Sequence, residues 1–130
     1  MEDDRSGVLI SISADEHLIN EIRQLARSAN YRIVAEIKQN RREADPRFYL
    51  GPGKIEEVNE IDASNVIIPR DLTPDQIFMI RRRTTMKVMD RTRLILEIFK
   101  ERANSPEARL QVELADLRHQ LPIIREYVHK

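Results

Sequence analysis

The sequence predicts an α/β fold: a small, mainly parallel four-stranded sheet with flanking helices, followed by a C-terminal helical extension. Three observations carry this. Short β-branched runs near residues 8–12, 31–38, 65–68 and 86–89 alternate with helical patterns. That alternation is the mark of βαβ units and a parallel sheet. The helical patterns open with capping residues, which sets their starts independently of hydrophobicity. The last two helical patterns have no strand between them, so they should leave the sheet.

Each element has its own signal. Val8 to Ile12 is a short apolar run suited to a buried strand. Ser13, Ala14, Asp15 and Glu16 match a capping box, with Ser13 as N-cap, so a helix is expected over roughly 14–29. Its face is Leu18, Ile19, Ile22, Leu25, Ala26 and Ala29. Tyr31 to Ile37 alternates Ile33, Ala35 and Ile37 against Val34 and is the second strand. Gln39 to Pro46 is a polar loop, and Phe48, Tyr49 and Leu50 form a short extended piece. Gly51, Pro52 and Gly53 turn into a helix carrying Ile55, Val58 and Ile61. Asn65 to Pro69 is the third strand. Thr73 to Gln76 is a second capping box with Pro74 at the first helical position. Lys87 to Met89 is the fourth strand, and Leu94, Ile95, Ile98 and Phe99 mark the next helix. Asp71 and Asp90 read as caps, Asp71 near Thr73 and Asp90 for the helix of Leu94. Ser105, Pro106 and Glu107 open the last helix.

That helix has the sharpest pattern. Leu110, Leu114, Leu117, Leu121, Ile124 and Val128 alternate spacings of four and three, a coiled-coil seam of the kind that pairs with a second helix. Packing on its own sheet is the alternative. Pro122 interrupts the seam and is expected to kink the helix, leaving it straight only to Gln120. Residues 1–103 are assigned to the α/β subdomain and 104–130 to the helical extension, the first half of a helical hairpin.

Composition excludes several classes. Lys+Arg and Asp+Glu are both 22, so the chain has no basic excess and is no generic polyanion binder. A local basic patch remains open. The chain has no Cys, so disulfides and thiolate metal sites are absent, which suits the cytoplasm. The acidic start with its short apolar run lacks the pattern of a signal peptide, and no stretch is apolar enough for a membrane span. No two histidines lie on one turn as metal ligands, and no serine sits in a nucleophile elbow. No catalytic and no metal-binding residue is expected.

Gly51, Gly53 and Lys54 invite a phosphate-loop reading and fail it. That loop needs G-x-x-x-x-G-K-[ST] so that successive amides surround the phosphates and a hydroxyl binds magnesium. Here the glycines are two apart, and Ile55 follows Lys54. There is no D-x-x-G and no N-K-x-D either, so hydrolysis of GTP in the manner of a P-loop enzyme is not expected of this chain. A weaker anion site at Gly51, Gly53 and Lys54 stays open beside the plain reading, a turn entering a helix. Arg41, Arg42, Arg70, Arg91 and Arg93 all follow strands. In an open parallel sheet such loops share one edge, where ligands bind. Arg81, Arg82 and Arg83 close a helix, where the macrodipole already favours them. These eight arginines are candidate RNA contacts. Ion pairing with Asp45, Asp71 and Asp90 is the alternative for those after the strands.

Four ordered segments stand out: Gly51, Gly53, Lys54, Glu56 and Glu57; Val66 to Pro74; Asp90, Arg91, Thr92, Leu94, Ile95, Leu96, Ile98 and Phe99; and Ala108, Leu110, Gln111, Val112, Glu113, Leu114, Ala115 and Leu117. Together they resemble the N-terminal domain of HflX-type ribosome-associated GTPases. The resemblance implies a small α/β unit, then two long antiparallel helices, then a GTPase domain. It implies binding to the large ribosomal subunit and its RNA. GTP and Mg²⁺ would belong to the GTPase domain, and this chain itself needs no cofactor. The sequence stops at Lys130, before the returning helix, so the expected partners are ribosomal RNA, a GTPase domain in cis or in trans, and a second copy in a homodimer. The alternative function is a protein-interaction module working through Leu110, Leu114, Leu117, Leu121 and Ile124.

Overall fold

The computed structural model describes residues 4–129, so the ends of the two assigned spans, 1–3 and 130, lie outside the described residues. Four strands, β1 (Ser6–Ile12), β2 (Arg32–Gln39), β3 (Asn65–Ile67) and β4 (Lys87–Met89), form one sheet in the order β2-β1-β3-β4. Every neighbouring pair is parallel. The expected strands and their parallel pairing are therefore present. The helices are α1 (Ile19–Ser28), α2 (Pro52–Val58), α3 (Pro74–Thr84), α4 (Arg91–Arg102) and α5 (Pro106–His129).

β1 is buried along its whole length because both faces of the sheet are covered. Val8, Ile10 and Ile12 face a core completed by Ile55 and Val58 of α2 and by Ile77 and Ile80 of α3. Leu9 faces a second core with Ile19, Ile22 and Ala26 of α1 and Leu94 and Ile98 of α4. Gly7 leaves room for the Ile67 side chain of β3, since a Cβ there would stand 2.4 Å from Ile67 Cδ1. The β1–β2 register slips at this point, Gly7 facing Ile33 and Val8 facing Ala35, so Val34 is the extra residue of a bulge. β2 is an open edge whose exposed side chains are guarded by the Arg23–Glu36 and Lys38–Glu16 ion pairs. The β4 edge is flanked by α5, and a cavity of about 350 Å³ lies between them.

Several local expectations need correction. Ser13 is not an N-cap: its hydroxyl donates to Asn40 Oδ1 and the Arg41 carbonyl, and Ser13–Leu18 is a 3-10 turn before α1. The local signal lost to partners far along the chain. Phe48 to Leu50 is not extended; Tyr49 sits at φ 66, and Asp45 and Tyr49 close a tight loop. The α2 helix ends at Val58, short of Ile61. Asp71 does not serve the helix of Thr73. Its Oδ1 accepts from Thr92 N at the start of α4. The α4 helix stays on the sheet through Leu94 and Ile98. The α5 helix continues through Pro122 to His129. Proline there removes only the bond to the Arg118 carbonyl. Thr73, Asp90 and Ser105 cap α3, α4 and α5 as read.

Candidate functional site

The strand order reverses between β1 and β3, where ligands of open α/β sheets usually bind. Here the chain fills that crevice itself. Tyr49 is fully buried, its hydroxyl donates to Asp15 Oδ2 at 2.9 Å, and it accepts from Ile12 N at 3.2 Å. Arg70 Nε lies 2.8 Å from the same Asp15 oxygen, with its guanidinium 5.3 Å from the Tyr49 ring centroid. Burial, then the negative charge of Asp15, pushes the Tyr49 hydroxyl far above its ordinary range. It stays a neutral donor. Sequence reasoning missed this triad; Asp15 reads as a first-turn acid and Tyr49 as one aromatic in a loop.

The arginines after the strands mostly face carboxylates. Besides Arg70–Asp15, Arg91 pairs with Glu21 at 2.8 Å. Arg93 turns along α4 to Asp116 at 2.6 Å and Glu97 at 3.4 Å. Arg41 donates from Nε to the Glu43 carbonyl, and Arg42 is exposed. The carboxylates considered as partners, Asp45, Asp71 and Asp90, instead accept from backbone N–H groups of Arg47, Thr92 and Arg93. Geometry explains the difference, because a cap binds a donor one to three residues away, or across a loop, before a long side chain can compete.

At the start of α2, the Gly51 N–H donates to Gln39 Oε1, and the Gly51 carbonyl accepts from Lys54 N and Ile55 N. A Cβ on Gly51 would stand 2.8 Å from Arg41 Nη1, so this glycine admits the Arg41 and Gln39 side chains. Lys54 pairs with Glu57 at 3.2 Å, and Gly53 is exposed with open space around it.

Arg81, Arg82 and Arg83 lie at the other edge of the sheet, because α3 runs back against the strands and ends before β4. All three are exposed. Arg83 pairs with Glu56 at 2.8 Å and lies over Phe48. Arg81 lies over Tyr127 and Arg82 over Phe78, and the two rings meet edge to face at 4.6 Å. Among the described residues no ion pair holds Arg81 or Arg82.

The α5 helix has two working faces. One meets the domain. Asp116 and Ile123 are buried there, and Asp116 accepts from Arg93 and Gln120 and pairs with Lys100. Burial alone would raise the Asp116 pKa, but hydrogen bonds from Arg93, Lys100 and Gln120 outweigh it and hold the carboxyl well below the usual range. The opposite face is the seam, with Leu110 57%, Leu114 39%, Leu117 54%, Leu121 48% and Ile124 49% exposed. The seam does not pack on its own sheet. No helix among the described residues is long and apolar enough to cross a membrane, and none of their His, Asp and Glu side chains group as metal ligands.

Known proteins similar to this chain give a consistent picture. The family model described as GTP-binding GTPase N-terminal matches residues 16–100. The GTPase HflX of Thermococcus kodakarensis is 43% identical over 85% of this chain and 26% of its own length. That of Thermofilum pendens is 37% identical over 98% of this chain and 32% of its own length. A GTP-binding protein from the hyperthermophilic archaeon Sulfolobus solfataricus, solved in complex with GDP, superposes with a TM-score of 0.78 at 31% identity. That match covers 96% of this chain and 40% of the solved one. The chain thus spans about a quarter to a third of the length of the curated relatives it matches.

Proposed function

The chain belongs to the GTP-binding GTPase N-terminal family, as the N-terminal domain of an HflX-type protein, and from that premise we propose that it is an RNA-binding module that brings a GTPase to the large ribosomal subunit. Nucleotide hydrolysis then falls to a GTPase domain, in cis or in trans. The observation that carries the RNA reading is the sorting of charge. Cations and acids balance overall, but Arg81 and Arg82 stand exposed with no ion pair among the described residues, next along α3 to Arg83. Arg70, Arg91 and Arg93 are held by carboxylates and would contribute less. Arg41, Arg42 and the Gly51, Gly53 and Lys54 turn are secondary contacts on this reading. Exposed, unmatched arginines are the natural partners of phosphates and unstacked bases. Co-sedimentation with large subunits tests it. Binding should be present at about 50 mM salt and fall steeply by about 200 mM. Failure to pellet at the lowest salt would end the reading.

The exposed seam favours a second reading, a helix-pairing module. Burying one large aliphatic side chain contributes about 1.5–3 kcal/mol, so a row of them left in water is an unused driving force. The simplest partner is a second copy, in a two-fold homodimer with residues 107–124 at its centre. Sedimentation over a concentration series reads this out, with Leu114→Asp plus Leu117→Asp as the monomeric control. A monomer at every concentration removes the homodimer.

A further inference from the structure

We infer that the end of α3 recognises unpaired RNA bases by stacking on the guanidinium planes of Arg81 and Arg82, rather than duplex RNA by its phosphates alone. This rests on the RNA reading above. Arg81 lies 5.5 Å from the Tyr127 ring centroid and Arg82 lies 5.6 Å from that of Phe78. Phe78 is buried, and it holds Tyr127 at an interplanar angle of 76°. Two cations are thus seated on one aromatic pair, within the range of a cation–π contact. Both side chains are exposed, so each guanidinium is seated by a ring and still open to solvent.

That placement suits bases better than phosphates. A phosphate is met by the N–H groups at a guanidinium edge. A base stacks on the plane and gains when the plane is already held, because less freedom is lost on binding. Arg83 shows the contrast. Its Nε is committed to Glu56 while it lies over Phe48. Beside Arg81 and Arg82 runs a groove of about 360 Å³, lined also by Thr85, Met86, Lys87 and Tyr127. Bases inside a duplex cannot reach such planes, whereas splayed bases can.

The test keeps charge and removes planarity. The full chain and its Arg81→Lys plus Arg82→Lys variant are titrated with a single-stranded oligoribonucleotide carrying 2-aminopurine, and with the same sequence paired to its complement. The inference expects the Lys variant to bind the single strand about tenfold or more weakly, with its salt slope unchanged and the emission quench of 2-aminopurine reduced. Duplex binding should stay weaker than single-strand binding and be little altered. A Lys variant that binds like the parent, while Arg81→Ala plus Arg82→Ala weakens binding and flattens the salt slope, would overturn stacking and leave the RNA reading in place. No binding of either RNA by the parent would overturn both.

Discussion

At the residue scale, polar side chains buried far from their sequence neighbours hold the domain together. Tyr49→Phe leaves Asp15 and the Ile12 N–H short of a partner inside the sheet edge, which costs about 1–3 kcal/mol. Urea unfolding measures it, and an unchanged midpoint would show that water satisfies those groups. Asp116 gives a pH signature. Its carboxyl is depressed in the folded state, so its contribution is fully present above the ordinary carboxylate pKa. It is lost as pH falls below that value toward the folded one. Asp116→Asn should therefore cost about 2 kcal/mol at pH 7, discounted because Lys100 is partly exposed, and the gap to the parent should narrow below about pH 4. A gap that does not change with pH would mean the carboxylate charge plays no part. Such side chains are not legible in the sequence. Asp15, Tyr49, Asp116 and His119 look like ordinary members of loops and helices, and their meaning comes from partners on other elements, as for His119, whose Nε2 lies 3.7 Å from Asp90 Oδ1.

At the element scale, local signals read well and long-range ones do not. The strands are legible because β1, β3 and β4 are buried β-branched or aliphatic runs with capped helices between them. Thr73, Asp90 and Ser105 cap as read because each bonds within its own first turn. Ser13 fails because Asn40 and Arg41 claim its hydroxyl. The α5 helix is the instructive case. Its seam is visible as spacing, but its docking face is hidden because it is built from Asp116, His119 and Gln120 around Ile123. Ile123→Ala should cost about 2–4 kcal/mol by opening the core beneath α3. Leu117→Ala should change monomer stability by less than about 0.5 kcal/mol because the site is exposed. Thermal unfolding of the two variants side by side checks the assignment of faces, and equal losses would contradict it.

At the scale of the whole molecule, a chain with balanced charge holds Arg70, Arg91 and Arg93 in ion pairs, while Arg81 and Arg82, at the opposite edge of the sheet, have none among the described residues. Topology alone points to the arginines after the strands, but only their partners distinguish Arg70, Arg91 and Arg93 from Arg81 and Arg82. The switch-point crevice is closed by Tyr49, so the ordinary ligand position of this topology is taken by the chain itself. On the proposed reading, recognition falls to the surface, along the end of α3 and the outer face of α5. The most direct test is co-sedimentation of the parent and of Arg81, Arg82 and Arg83 all changed to Ala with large ribosomal subunits, across a salt series. The account predicts weaker binding by the variant and a salt slope flatter by roughly one unit for each phosphate no longer neutralised. Equal affinity and equal slope for the two proteins would contradict it.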